Sequence, residues 1–185
     1  RIKPDVSGNG VGVFSTYDKS DSQYASISGT SMATPSVTGS LLLLQQHYTN
    51  LNNSFMRAAT LKGLTLHTAD DISTPGPDAF SGWGLLNMKK AAEAISNKGV
   101  SSIIKELTLT SGTTYTTTIN SDGINPLMAS ISWTDPAGVA NTGTANLTTA
   151  VLVNDLDIRI TKATTTYTPY RLTSVASNGK GDNKV

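Results

Sequence analysis

Residues 28–35 read Ser28-Gly29-Thr30-Ser31-Met32-Ala33-Thr34-Pro35 and mark the start of a helix. Thr30 and Ser31 are residue types that cap helices, and Pro35 falls at or just after the first turn, where a missing N–H costs little. Gly29 permits a tight, unusual backbone immediately before them. We therefore expect a helix over residues 31–48 with Ser31 at its amino end.

A serine at this position has two interpretations. The free N–H groups and the positive end of the helix face Ser31, and an acyl-transfer nucleophile needs such donors for the oxyanion that forms on the attacked carbonyl. The alternative is an ordinary serine cap, which is the commoner meaning of a serine at a helix start. Position in the helix therefore leaves both interpretations open.

The first hundred residues carry further helical signals. Leu41 to Leu44 form a run that is apolar on every side, which predicts a buried helix. Apolar residues at helical spacing predict a second helix over 54–68 and a third over 87–97, with a Pro-Gly-Pro loop within 71–78. Both histidines, His47 and His67, fall in this part of the chain.

The residue pattern changes after Gly99. Residues 1–100 contain nine threonines and residues 101–185 contain 18, many of them in short alternating runs bounded by turn residues. These runs predict strands of an antiparallel β-sandwich or jelly roll, and a proline-containing edge strand follows at 167–172. The predicted strands are residues 107–110, 115–119, 127–133 and 150–160. We place a domain boundary near residues 101–105, giving domains at 1–100 and 101–185.

The first domain resembles the subtilisin-like serine proteases, or subtilases. Gly29-Thr30-Ser31-Met32-Ala33-Thr34-Pro35 is similar to the nucleophile signature of that family. Three further stretches match: residues 2–7 with 13–16, residues 37–39, and Gly82-Trp83-Gly84-Leu85-Leu86-Asn87 with Ala91-Ala92. The resemblance implies an α/β domain represented by its carboxy-terminal portion. It also implies a peptide or protein substrate and a secreted or cell-surface location. The sequence departs from the family pattern at two places. Residues 7–10 lack the usual Ala-Pro-Gly, and Ser36 stands where histidine is frequent. These departures bear on which subfamily the chain resembles, and not on the class of protein.

The same resemblance assigns roles around the helix start. Ser31 is the implied nucleophile, and its own N–H would donate to the oxyanion. Ser28, Gly29 and Thr30 would lie beside the substrate, at the end of a strand and turn running over residues 24–29. Residues 131–136 and 152–158 are similar to the β-sandwich that follows the catalytic domain in some large subtilases, and broadly to the jelly-roll domain of proprotein convertases.

The sequence before Ser31 offers no histidine for a catalytic triad, and its aspartates are interpreted otherwise: Asp18 and Asp21 as solvated in a polar loop, and Asp5 as structural. In subtilases the order along the chain is Asp, His, Ser, yet residues 1–30 contain no histidine. His47 lies 16 residues further along the predicted helix, which at about 1.5 Å per residue is roughly 24 Å from Ser31. His67 is expected at a surface or core edge, and Asn9 in a turn. We therefore expect the triad Asp and His and the oxyanion asparagine to come from an upstream part of the domain, in the same or a separate chain. Without that upstream part of the domain, this chain is predicted to be an inactive fragment.

Composition excludes several functions. The chain has no cysteine, which excludes disulfides, thiolate metal sites and a cysteine nucleophile. A formal net charge of +1 gives no reason to expect nucleic acid as a partner. The longest apolar run is too short to span a membrane. The competing hypothesis to a protease fragment is a non-catalytic pseudoprotease whose β-sandwich binds a partner.

No cofactor is required by this chemistry, but the second domain contains oxygen ligands of the kind that Ca²⁺ prefers. The weak candidates are Asn154, Asp155 and Asp157, with Asp122 or Asp135 as further members. The alternative is a hydrogen-bonded polar strand face. Two Asn-x-Ser/Thr sequons, at Asn52 and Asn146, carry no weight without a glycosylating pathway.

Overall fold

Three helices and a hairpin are found in the described part of the first hundred residues. The computed structural model describes residues 2–72, 75–143, 149–172 and 181–182, so the Asn146 sequon lies outside the described residues. In order along the chain the elements are β1 (Val13–Thr16), β2 (Tyr24–Ile27), α1 (Thr30–Asn52), α2 (Ala58–His67), α3 (Met88–Ser96), β3 (Ile160–Lys162), β4 (Thr165–Tyr167), β5 (Arg171–Leu172) and β6 (Gly181–Asp182).

The strands β1 and β2 form an antiparallel hairpin that leads directly into α1. Val13 pairs with Ile27 and Thr16 with Tyr24. The helix starts one residue before the predicted position and continues four residues past it, to Asn52. It ends at Asn53, which takes a left-handed backbone with φ 53° and donates its N–H to the Thr49 carbonyl at 2.8 Å. Asparagine is one of the few residues that adopt this cap without strain.

The core lies where the three helices meet. Leu44 is only 1% exposed, whereas Leu42 and Leu43 are 68% and 66% exposed, so the predicted burial of the whole leucine run is wrong. A helix turns by about 100° per residue, and the neighbouring helices cover one face of α1 only. The residues that pack together are Leu44, Tyr48, Met56, Leu64, Ala91 and Ile95.

Most of the strand length predicted after residue 100 is not found among the described residues. The segments 107–110, 115–119, 127–133 and 150–159 form no strand, and pairing is confined to β3 with β4 and β5 with β6. Alternation and β propensity describe a chain that suits a sheet, but a strand also requires a partner for its N–H and C=O groups. The predicted edge strand 167–172 takes in the last residue of β4 and both residues of β5. The β-sandwich of residues 101–185 is therefore not confirmed.

The described helices are short or carry polar residues along their length rather than being continuously apolar. None of them combines the length and the apolar character that crossing a bilayer demands.

Candidate active site

Ser31 lies at the amino end of α1. The helix begins at Thr30, so the Ser31 N–H has no acceptor inside the helix. The N–H groups of Met32 and Ala33 both donate to the Gly29 carbonyl, at 3.0 and 3.2 Å. The Ser31 side chain is exposed. A hydroxyl beside its own free N–H can attack a carbonyl and stabilise the resulting oxyanion once a base takes its proton.

The turn before Ser31 is held by the segment that precedes β1. Gly29 donates its N–H to the Gly10 carbonyl at 2.8 Å, and Gly12 donates its N–H to the Ser28 hydroxyl oxygen at 2.9 Å. These two bonds join the turn Ser28-Gly29, which connects β2 to α1, to residues 10–12. The predicted strand and turn over residues 24–29 thus correspond to β2 and this turn.

Two details of the predicted helix start are wrong. The residue that caps α1 is Gly29, without any side-chain bond, while Thr30 and Ser31 already lie inside the helix. Gly29 has φ 162° and ψ 164°, an extended backbone that any residue adopts, so its conformation does not require glycine.

The glycines that the site does require are Gly8 and Gly10. A Cβ atom on Gly10 would lie 2.6 Å from the Gly29 carbonyl oxygen, and one on Gly8 would lie 2.6 Å from a methyl carbon of Val37. Both residues therefore let the segment run closely along the first turns of α1. Sequence reasoning missed this role, although two glycines spaced two apart are a signal for close backbone approach.

Residues 78–86 support the segment around Ser7, which leads into the residues that hold the turn before Ser31. Ser7 donates its N–H to the Gly84 carbonyl at 2.9 Å, and Leu86 donates its N–H to the Ser7 carbonyl at 2.9 Å. Asp78, buried in the loop before Gly84, accepts hydrogen bonds from the N–H groups of Ser81 and Phe80, and these bonds lower the pKa of its carboxyl group. Residues 78–86 thus form a fixed support for the segment around Ser7.

Neither histidine is bonded to Ser31. The His47 ring contacts the Ser96 hydroxyl of α3, with 2.9 Å between Nε2 and Oγ. The His67 ring contacts the Ser130 hydroxyl, with 3.0 Å between Nδ1 and Oγ, and burial lowers the pKa of its imidazole. The continuous helix from Thr30 to Asn52 keeps the separation of His47 from Ser31 at about 24 Å.

Most of the candidate calcium ligands in the second half of the chain are hydrogen-bonded or ion-paired to different protein groups. Asp135 accepts hydrogen bonds from the N–H groups of Val153 and Asn154, at 2.8 and 2.9 Å, and from the Asn154 side chain. Asp157 pairs with Arg159 at 3.1 Å. Asp122 accepts bonds from its own turn, from Ile124 and Asn125. Within the described ranges no three acidic, histidine or cysteine side chains converge on a site for a metal ion, and Asp155 joins no such group.

Comparison with known proteins finds a matching family model and several relatives that align with part of the chain. The Subtilase family model matches residues 1–84. The PII-type proteinase of Lactococcus lactis subsp. cremoris is 32% identical over 121 residues, covering 57% of this chain and 6% of that protein. The Neisserial autotransporter lipoprotein NalP of Neisseria meningitidis serogroup B is 43% identical over 65 residues, covering 35% and 6%.

The Extracellular serine protease of Serratia marcescens is 37% identical over 68 residues, covering 37% of this chain and 6% of that protein. The chain thus spans less than a tenth of the length of these curated relatives. The subtilase domain is an α/β domain, which confirms the predicted class for the matched residues. Residues 1–84 of this chain are a subtilisin-like protease region.

Proposed function

We propose that this chain supplies the nucleophile of a serine endopeptidase that hydrolyses peptide bonds through an acyl-enzyme on Ser31. The observation that carries the proposal is the position of Ser31 at the free amino end of α1, within the residues that match the subtilase family. The substrate is a peptide or protein, and no cofactor takes part.

The proposed steps use three groups of this chain. The Ser31 hydroxyl oxygen attacks the scissile carbonyl carbon, and the hydroxyl proton passes to a histidine from the upstream part of the domain. The Ser31 N–H donates to the oxyanion, and Ser28 to Thr30 lie along the bound peptide. The histidine then protonates the leaving amine, and water releases the acyl group by the reverse sequence.

The same proposal makes the isolated chain inactive. His47 lies about 24 Å from Ser31 along α1 and contacts Ser96, and His67 contacts Ser130, so neither histidine is bonded to the Ser31 hydroxyl whose proton must be taken. Removing the base from a subtilisin lowers turnover about 10⁶-fold, a measured value from this family. Activity therefore depends on a partner segment that brings an Asp and a His to Ser31.

The proposed location is secreted or cell-surface. Support comes from the names of the relatives, one an autotransporter lipoprotein and another an extracellular serine protease. The absence of cysteine is compatible with such a location and does not require it.

The test is covalent labelling by a fluorophosphonate probe at neutral pH, with a chromogenic peptide assayed in parallel. The 185-residue chain is expected to remain unlabelled and inactive. The intact protein that carries it is expected to label at Ser31 and to cleave the peptide. In the intact protein S31A should abolish both signals, whereas S36A, the matched serine on the same helix, should retain both.

Two outcomes contradict the proposal. Rapid stoichiometric labelling of the isolated chain would mean that a base lies within these 185 residues. An intact protein that folds but neither labels nor cleaves would favour the pseudoprotease, in which residues 101–185 serve binding.

A further inference from the structure

Asn9 lies in the segment that holds the turn before Ser31, and Gly10 follows it in the chain. Asn9 is exposed to solvent. Glycine leaves a preceding asparagine especially open, because it has no side chain to shield its own backbone nitrogen or to restrict its conformation. In such a pair the side-chain amide carbon of the asparagine and the backbone nitrogen of the glycine can close a five-membered ring.

The hydrogen bonds around Asn9 favour this ring closure. The Val11 N–H donates to the Asn9 Oδ1 atom at 3.2 Å. This donor polarises the amide carbon and faces the oxygen on which negative charge develops during an attack. Among the described residues, no acceptor binds the Gly10 N–H, so the attacking nitrogen has no hydrogen bond to break. The carbon under attack is thus activated, and the nitrogen that attacks it is free.

The chain is fixed on both sides of Asn9. Before it, the Ser7 N–H donates to the Gly84 carbonyl at 2.9 Å, and after it the Gly10 carbonyl accepts the Gly29 N–H at 2.8 Å. A Cβ atom on Gly10 would lie 2.6 Å from the Gly29 carbonyl oxygen, so the second fixed point is also tightly packed. Two residues span the distance between the fixed points, and the main chain there has little slack.

We propose that Asn9 is a site of spontaneous deamidation, and that its isoaspartate product loosens the turn before Ser31. The Gly10 nitrogen attacks the Asn9 amide carbon and forms a new C–N bond, while the bond from that carbon to the side-chain nitrogen breaks. The side-chain nitrogen takes up the Gly10 proton and leaves as ammonia. Water then opens the ring at either carbonyl, which gives aspartate or isoaspartate. The balance needs water alone.

Isoaspartate lengthens the main chain by one atom, because the chain then runs through the Cβ atom of residue 9. The added atom falls between the two fixed points. Ser7 is held there by its N–H and by its carbonyl, which accepts the Leu86 N–H, whereas Gly10 is held by one backbone bond. We therefore expect the bond between Gly29 and Gly10 to open. The inference concerns the structure of this chain and does not depend on the proposed function.

The first measurement follows Asn9 in the folded 185-residue chain during incubation at mildly alkaline pH. Peptide mass spectrometry detects the exchange of the amide for a carboxyl group, and an isoaspartyl methyltransferase with a labelled methyl donor detects isoaspartate. The second Asn-Gly pair of the sequence, Asn178-Gly179, is the internal reference. N9Q, whose ring would need six atoms, is expected to lose the product at residue 9 and to keep it at the reference.

The contribution of the Val11 N–H is tested by the pair V11P and V11A. Val11 is 79% exposed, so neither variant removes a packed side chain. V11P removes the donor and V11A retains it. Conversion of Asn9 should be slower in V11P by about twofold to tenfold, the range that corresponds to one neutral hydrogen bond. An equal slowing in the urea-unfolded chains would overturn the role of this bond.

The second measurement is hydrogen exchange at the Gly29 N–H, followed by NMR before and after conversion. Protection of this N–H is expected to fall by about fivefold or more in the isoaspartate form, which is the effect of losing one hydrogen bond. N9D is the matched control, because it carries the added charge on a main chain of ordinary length, and it is expected to keep the protection.

Two results would overturn the proposal. The first is an unconverted Asn9 in the folded chain under conditions that convert Asn178 or the urea-unfolded chain. The second is equal protection of the Gly29 N–H in N9D and in the isoaspartate form, which would mean that lengthening the main chain does not loosen the turn.

Discussion

Glu106 provides the amino-terminal cap of α2 from outside the helix. Arg57 occupies the cap position and makes no side-chain capping bond of its own. In a capping box, the glutamate at the third helical position accepts the N–H of the cap residue. Here Thr60 occupies that third position, and Glu106 accepts both the Arg57 N–H and the Thr60 hydroxyl. We predict that E106A destabilises the chain measurably.

The size of the effect follows from these bonds. Hydrogen bonds to a charged group contribute about 1.5–3 kcal/mol each when buried, and a helix cap contributes about 0.5–2 kcal/mol. The Glu106 side chain is 23% exposed, which places the sum near the lower end of these ranges. We expect E106A to lower the free energy of unfolding by about 2 kcal/mol, or the melting temperature by about 4–8 °C for a chain of this size.

The effect should depend on pH. Burial by itself would raise the pKa of Glu106, but the hydrogen bonds from Thr60 and Arg57 and the charge of Arg57 outweigh it and lower the pKa. The stabilisation is therefore fully present above the ordinary value of 4.5 and is lost as the pH falls through the lowered one. The difference between the unaltered chain and E106A should be largest near neutral pH and shrink below pH 4.5.

The assay is urea denaturation at several pH values, with E93A as the matched control. Glu93 is exposed and pairs with Lys89 at 3.8 Å, so its removal should change stability by less than about 0.5 kcal/mol. Equal losses in E106A and E93A at pH 7 would refute the capping argument. An effect of E106A that stays constant from pH 7 to pH 3 would refute the electrostatic part.

Two further predictions concern the core and calcium. L44A should lower the free energy of unfolding in urea by about 2–5 kcal/mol, because Leu44 is 1% exposed. L43A, at a position 66% exposed, should change it by less than about 0.5 kcal/mol. Equal losses in the two variants would mean that α1 buries a different face. Thermal melts in millimolar Ca²⁺ and in chelator are expected to superimpose, because Asp135 and Asp157 are engaged by protein groups. A stabilisation of several degrees that is lost in D155A would instead support a calcium site.

The sequence was sufficient for features whose hydrogen bonds are local. A helix bonds each N–H to the carbonyl four residues back, so α1, α2 and α3 were predicted within a few residues of their ends. The position of Ser31 at the start of α1 followed from the same local signals. The segment around Ser31 also identified the subtilase resemblance, which the family match over residues 1–84 confirms.

Tertiary structure decided everything that depends on a distant partner. Leu42 and Leu44 are the same residue type in one helix, and only the position of the neighbouring helices makes one exposed and the other buried. The runs at residues 107–110, 115–119 and 127–133 have strand composition, but in the structure their N–H and C=O groups lack the paired neighbours that would make them strands. Gly10 is required because a backbone carbonyl approaches it, while Gly29, the glycine beside the nucleophile position, has an extended backbone open to other residues. Burial, pairing and close approach are set by atoms far apart in the chain, and residue type and local spacing do not encode that proximity.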